Sequence, residues 1–265
     1  CIRDSKKYCL PFSEANLTDA NKEYLQKYLD VTKSQMFFAK GIIFVEGISE
    51  AILLPEIAKI LDRPLEKYAV ELVNVDSVAF SPFVNLFSSQ NVQTCFSKVA
   101  IVTDDDRCTK KSETNYINKD FDYDDVNSDI SGKLLSGTPS ERCNELETSC
   151  RAVGINVFKA TKTLEYALCC DENNIEYFIE AIKSEYSQLG PALEQKVNSL
   201  HDMNEKAACV WLFIRAREKC KGAIAQYISQ IIKKQCEMRK RGENIEKEFV
   251  IPDYLKEAVY CVTER

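Results

Sequence analysis

The chain has 265 residues, of which 45% are hydrophobic and 29% charged, with a formal net charge of −6. That composition is ordinary for a globular protein with a sizeable core. It argues against a strongly basic nucleic-acid-coating protein, yet leaves room for a nuclease whose acidic site needs metal before DNA can approach.

From Asn16 to Phe38, the apolar positions Leu17, Tyr24, Leu25, Tyr28, Leu29, Met36 and Phe37 recur at helical spacing, so a lead-in helix is expected there, with Thr18 as its cap. The apolar run Gly41-Ile42-Ile43-Phe44-Val45 reads as a buried strand over 41–46 that delivers Glu46 to its carboxyl end. A glycine turn follows, then a helix over about 50–61 that stops before Arg63-Pro64. Val70–Val75 supplies the next strand and Phe80–Phe87 a short helix. A strand over 99–103 ends in Thr103-Asp104-Asp105-Asp106. Residues 107–140 are rich in Asn, Asp, Ser, Lys and Gly and read as a long loop, with the acidic run Asp120–Asp125 as solvated surface.

A helix over about 140–152 leads into a fourth strand, Ile155–Phe158, after which Thr163-Leu164-Glu165-Tyr166 brings a further carboxylate to a strand end. Beyond residue 171 the pattern is helical, over 173–187, 204–219, 222–240 and 252–262. Strands alternating with helices imply a mainly parallel sheet with right-handed crossovers.

No apolar stretch approaches the roughly 20 residues of a membrane span and no signal-peptide pattern opens the chain, so a cytoplasmic protein without membrane contact is expected. The cysteines, scattered and without a Cys-x-x-Cys, read as free thiols, and with His201 as the sole histidine a zinc site has no support. The first residue is Cys1 and not Met, which suggests a piece of something longer.

Acids gathered at several strand ends suit a hard divalent cation, which takes oxygen ligands and keeps waters that a substrate phosphate can replace. Glu46, Asp104 and Asp106 have that chemistry. Glu50 lies one helical turn after Glu46, Asp104 and Asp106 point the same way if the strand continues, and Glu165 would close the far side. Two ions roughly 3.5–4 Å apart would need a set of about this size.

Glu46-Gly47-x-x-Glu50 after one apolar strand and Asp104-x-Asp106 after another resemble the Toprim domain of topoisomerases, primases and related nucleases. Further segments, in the expected order, resemble the OLD (overcoming lysogenization defect) nucleases. They are Leu29-Asp30-x-Thr32-x-Ser34, Phe38-Ala39-Lys40-Gly41, Val73-Asn74-Val75, Pro82-Phe83, Thr163-Leu164-Glu165-Tyr166 and Lys221-Gly222-x-x-Ala225-Gln226.

The resemblance covers roughly residues 17–235. It implies an α/β Toprim core over 38–170, preceded by a lead-in segment over 1–37 and followed by an α-helical section over 171–265. It also implies a DNA endonuclease dependent on Mg²⁺ or Mn²⁺, with two ions held by Glu46, Glu50, Asp104, Asp106 and Glu165. Glu46 and Asp104 would be central to catalysis, and Lys221 would neutralise charge on the scissile phosphate. Family members usually carry an ATPase domain, which would act here in cis or in trans because no Gly-x-x-x-x-Gly-Lys-Ser/Thr loop occurs in this chain. A role in phage defence is implied as well, and a homo-oligomer is compatible with the sequence. The turn Asp76-Ser77-Val78-Ala79 departs from the family pattern, which offers glycines or small residues there.

Three rivals remain. A nucleophile elbow at Gly47-Ile48-Ser49 lacks its second glycine at Ala51, and His201 would be its only base. A haloacid-dehalogenase-like phosphatase would use Asp104-x-Asp106, yet Arg107-Cys108 stands where a Gly-Thr pair belongs, and Glu46, Glu50 and Glu165 would be idle. A non-catalytic DNA-binding or interaction domain would rely on Lys233, Lys234, Arg239, Lys240 and Arg241, a cluster that otherwise reads as a solvated helix face.

Overall fold

The computed structural model describes residues 2–3, 6–7, 17–29, 33–87 and 98–264. Two short strands, β1 (Ile2–Arg3) and β2 (Lys6–Lys7), pair antiparallel. The expected lead-in helix is divided: α1 spans Asp19–Tyr28, capped by the Thr18 side chain, and a 3-10 helix follows over Lys33–Phe38. Asn16, Asp30 and Thr32, part of that reading, lie outside the described residues.

Four parallel strands build the main sheet, β3 (Gly41–Val45), β4 (Val70–Asn74), β5 (Lys98–Asp104) and β6 (Asn156–Ala160), in the order β4-β3-β5-β6. α2 (Ile48–Ile60) joins β3 to β4, and α3 (Ser81–Phe87) lies between β4 and β5. α4 (Ser128–Ser136) and α5 (Glu141–Arg151) lie between β5 and β6. β3 is buried along its whole length because the sheet is covered on both faces. Its alternation sends Ile42 and Phe44 into one core with Phe80, Phe83 and Phe87, and Ile43 and Val45 into another with Leu53, Leu54 and Ile57.

The second core is completed by α6 (Leu164–Cys169), α7 (Glu172–Glu185), α8 (Leu189–Ser199), α9 (Met203–Ala216), α10 (Lys221–Arg241) and α11 (Asp253–Thr263). α8 was not anticipated from the sequence. α11 packs directly on the sheet: a Cβ added at Gly41 would stand 2.9 Å from the Val262 carbonyl oxygen, so only glycine fits at that strand start. The Val262 end of α11 therefore lies at the amino edge of the strands, which leaves its first turn near their carboxyl edge.

Residues 107–140 are more structured than the sequence suggested. Besides α4 they contain a 3-10 turn at Tyr123–Asp125 closed by a capping box from Asp122. The acidic run is also not simply solvated. Arg217 donates to both carboxylate oxygens of Asp122 at 2.8 Å, and Arg215 donates to the carbonyls of Asn118 and Phe121 at 3.1 and 2.8 Å. The segment is docked on α9. No helix among the described residues is long and apolar enough to cross a membrane.

Candidate metal centre

β3 leads through α2 to β4 on one side, and β5 leads to β6 on the other. The crevice between the carboxyl ends of β3 and β5 is thus the topological switch point, where open α/β sheets bind their ligands. Glu46 is the first residue beyond β3. Its Oε2 accepts a hydrogen bond from the Thr103 hydroxyl at 2.6 Å and a longer one from the Asp104 backbone N–H at 3.4 Å. Asp104, the last residue of β5, accepts the Leu164 backbone N–H on Oδ1 at 2.9 Å, which draws the start of α6 onto the sheet edge.

Glu165 follows in that first turn. Its Oε1 lies 3.6 Å from the Lys221 Nζ and accepts from the Ser49 hydroxyl at 3.4 Å. Lys221 opens α10 and Ser49 lies in the first turn of α2, and Arg239 near the other end of α10 donates to the Ile60 carbonyl that closes α2. The two helices therefore run side by side in the same direction, with both amino termini at the acids. Helix amino termini favour negative charge, which partly offsets the crowding.

Glu50 is only 6% exposed, and its carboxyl is pushed up to about 7, first by burial and then by the charge of Glu165. Asp104 is held well above the usual aspartate range, again first by burial and then by the charges of Glu50, Glu165 and Glu46. Burial works against the Lys221 ammonium, but Glu165, Asp104 and Glu50 outweigh it and raise its pKa. Three carboxylates of the site, Glu165, Asp104 and Glu50, thus share one lysine.

Asp106 does not join them as expected. β5 ends at Asp104 and Asp106 takes φ +52°, so the alternation that would set the two side by side is broken. Its Oδ2 instead accepts from Arg142 Nη2 at 2.7 Å, and the same nitrogen donates to the Asp104 carbonyl at 3.0 Å and stands 3.8 Å from Glu46 Oε2. Asp105 turns inward, 2% exposed, where it accepts from Arg107 Nη2 at 2.6 Å and from the Lys162 backbone N–H at 2.9 Å. It is a structural tie between β5 and the loop before α6. The turn Asp76–Ala79 solves its lack of glycine similarly: Asp76 takes φ +54° while its N–H is held by the Asn74 side chain at 2.9 Å.

Sequence reasoning missed Arg142, Thr103 and Tyr254. The Tyr254 hydroxyl, in the first turn of α11, is buried with no hydrogen-bond partner, and its pKa is raised well above normal first by burial and then by the charges of Asp104, Glu50 and Glu165. Only Thr103 carried a signal, as the strand residue before Asp104. The basic residues Lys233 and Lys240 lie along α10 from Lys221, about 18–30 Å away by helical rise. They line a cavity of about 1040 Å³ together with Glu56, Lys59, Asp62 and Arg63, a lining of mixed charge remote from the acids.

Residues 37–106 match the sequence model of the OLD-like Toprim domain, described as overcoming lysogenization defect protein-like. The core has the Toprim fold. The C-terminal region of the Xanthomonas campestris pv. campestris OLD protein, phased with platinum, superposes with a TM-score of 0.52 at 20% identity over 87% of this chain and 95% of that one. The same region phased with iodine gives 0.52 at 20% identity over 86% and 96%. The C-terminal region of the Burkholderia pseudomallei OLD protein gives 0.48 at 21% identity over 84% and 96%. No curated protein sequence matches the chain.

Toprim domains generally bind divalent metal ions. The Toprim core here has the donor chemistry for one, since carboxylates whose pKa is raised first by burial and then by neighbouring acids gain most from a divalent cation. Among the described residues no three His, Cys, Asp or Glu side chains form a ready-made cage. A cation such as Mg²⁺ does not require one, because it keeps waters and takes oxygens from substrate phosphates.

Proposed function

We propose that the chain is a divalent-metal-dependent DNA endonuclease that hydrolyses phosphodiester bonds, with Mg²⁺ or Mn²⁺ as the ion. The observation that supports this best is the meeting of Glu46, Glu50, Asp104 and Glu165 with Lys221 at the switch point of the Toprim sheet. Glu46, Glu50, Asp104 and Glu165 would hold the metal. When bound, a divalent ion supplies an activated water and polarises the phosphate.

The residues around it have separable tasks. Thr103 holds the Glu46 carboxylate, and the Leu164 N–H holds Asp104, so both ligands are oriented before substrate arrives. Ser49 and Lys221 do the same for Glu165. Lys221, with three donors and one carboxylate partner at 3.6 Å, is free to turn toward a phosphate oxygen and neutralise charge developing on it. The phosphatase rival is disfavoured by Asp106: the acid it would need two residues after Asp104 is engaged by Arg142.

An ATPase module in cis or in trans would gate cleavage, and phage defence in the cytoplasm would be the setting. Both rest on the likeness to OLD proteins. The test is supercoiled plasmid incubated with the full chain and Mn²⁺ or Mg²⁺. Nicking or cutting that disappears with EDTA and in Glu46→Gln and Asp104→Asn is the expected result; cleavage that persists in both variants removes the proposed site.

A further inference from the structure

The turn after β5 suggests something the Toprim pattern does not. Arg142 sits in the first turn of α5, and that helix is fixed on the same turn: Ser140 caps it through the Cys143 N–H, while the Ser140 N–H donates to the Asp105 carbonyl at 2.8 Å. Its Nη2 reaches Asp106 Oδ2 at 2.7 Å and the Asp104 carbonyl at 3.0 Å, and lies 3.8 Å from Glu46 Oε2. The guanidinium thus bridges the ends of β3 and β5 as a cation would, held by one carboxylate on each strand end. Its Nη1 is buried with no hydrogen-bond partner, which makes it a poor device for stability alone.

Resting on the reading of the site as a metal-dependent nuclease, we propose that Arg142 stands in for a second cation. The centre then takes a single divalent ion, on Glu46, Glu50, Asp104 and Glu165, and Asp106 is not a ligand but the anchor of Arg142. A charge of plus one from a fixed arginine replaces one of the two ions that five carboxylates would otherwise accommodate. Coulomb repulsion between a guanidinium and a divalent ion a few ångströms apart keeps the second ion out.

Calorimetric titration of the full chain with Mn²⁺, run beside the plasmid assay, tests this. The wild type and Arg142→Lys should bind one ion, and Arg142→Gln should bind a second by releasing Asp106. Asp106→Asn should keep the single ion with its affinity within about threefold, a result that does not depend on how well an Arg142 variant folds. Two ions on the wild type, loss of the ion in Asp106→Asn, a single ion persisting in Arg142→Gln, or two in Arg142→Lys would each overturn the proposal. If the wild type both nicks DNA and binds two ions, only the role of Arg142 fails. If it neither nicks nor binds, the nuclease reading fails and takes this with it.

Discussion

The acidic residues at the sheet edge fall into two regions with opposite chemistry. In the turn after β5, Asp105 and Asp106 each have an arginine of their own, Arg107 and Arg142, at 2.6 and 2.7 Å. In the pocket beside it, Glu50, Asp104 and Glu165 share Lys221, and burial with mutual repulsion raises the pKa of Glu50 and Asp104. Residue type is the same in both; partner supply is not. The turn has acids that are already neutralised and serve as fixings, whereas the pocket has acids whose charge a divalent cation would complete.

The sharpest way to break that contrast is to neutralise the pocket. Asp104→Asn should lower metal-dependent cleavage by about 10²–10³-fold while raising the melting temperature in EDTA, because one repelling charge is gone. Asp105→Asn should do the reverse to stability: it leaves Arg107 without its carboxylate partner in a buried place and should destabilise by about 3 kcal/mol. Thermal melts of the two variants side by side check both signs.

Removing the single shared cation comes next. Lys221→Met should cost about 10–10²-fold in cleavage and also lower metal-free stability, since Glu165, Asp104 and Glu50 lose their counter-charge. A melt in EDTA that rises in this variant would contradict the balance described here.

The pH response follows from Glu50. A carboxyl raised to about 7 binds its proton more tightly in the folded than in the unfolded chain. Its contribution to stability is therefore full below the unfolded value near 4.5 and is lost as pH rises toward and through about 7. Denaturation in EDTA should show stability falling across that window, and Glu50→Gln should flatten the fall. Saturating Mn²⁺ should remove it by binding the deprotonated form.

The smallest effect lies away from both regions. Asp122→Asn should weaken docking of the 107–140 segment on α9 by about 1 kcal/mol, since the pair is partly exposed, and leave cleavage unchanged.

The sheet was legible because Gly41–Val45 and Val99–Val102 are apolar runs with few other readings, and the carboxylates at their ends come with them. α8 was hidden by Gly190-Pro191 in its first turn, which reads as a break. Proline is tolerated there, and glycine is required because a Cβ at 190 would stand 2.6 Å from the Lys183 Cα of α7. α4 was hidden by Ser, Asp and Gly of low helix propensity, and it forms because Ile130 and Leu134 are buried against the core that includes α9. Glu46, Glu50, Asp104 and Glu165 could be placed from local pattern alone. Arg142 and Tyr254 could not, since each meets the acids only through the packing of a helix remote in sequence, and the left-handed turn at Asp106 broke an alternation that the strand alone would have continued.

The most direct measurement is the anomalous scattering of Mn²⁺ in crystals of the full chain. The account predicts a peak among Glu46, Glu50, Asp104 and Glu165, with Arg142 still on Asp106. A peak on Asp106 with Arg142 displaced, or no peak at the sheet edge under conditions where the chain cleaves DNA, would contradict it.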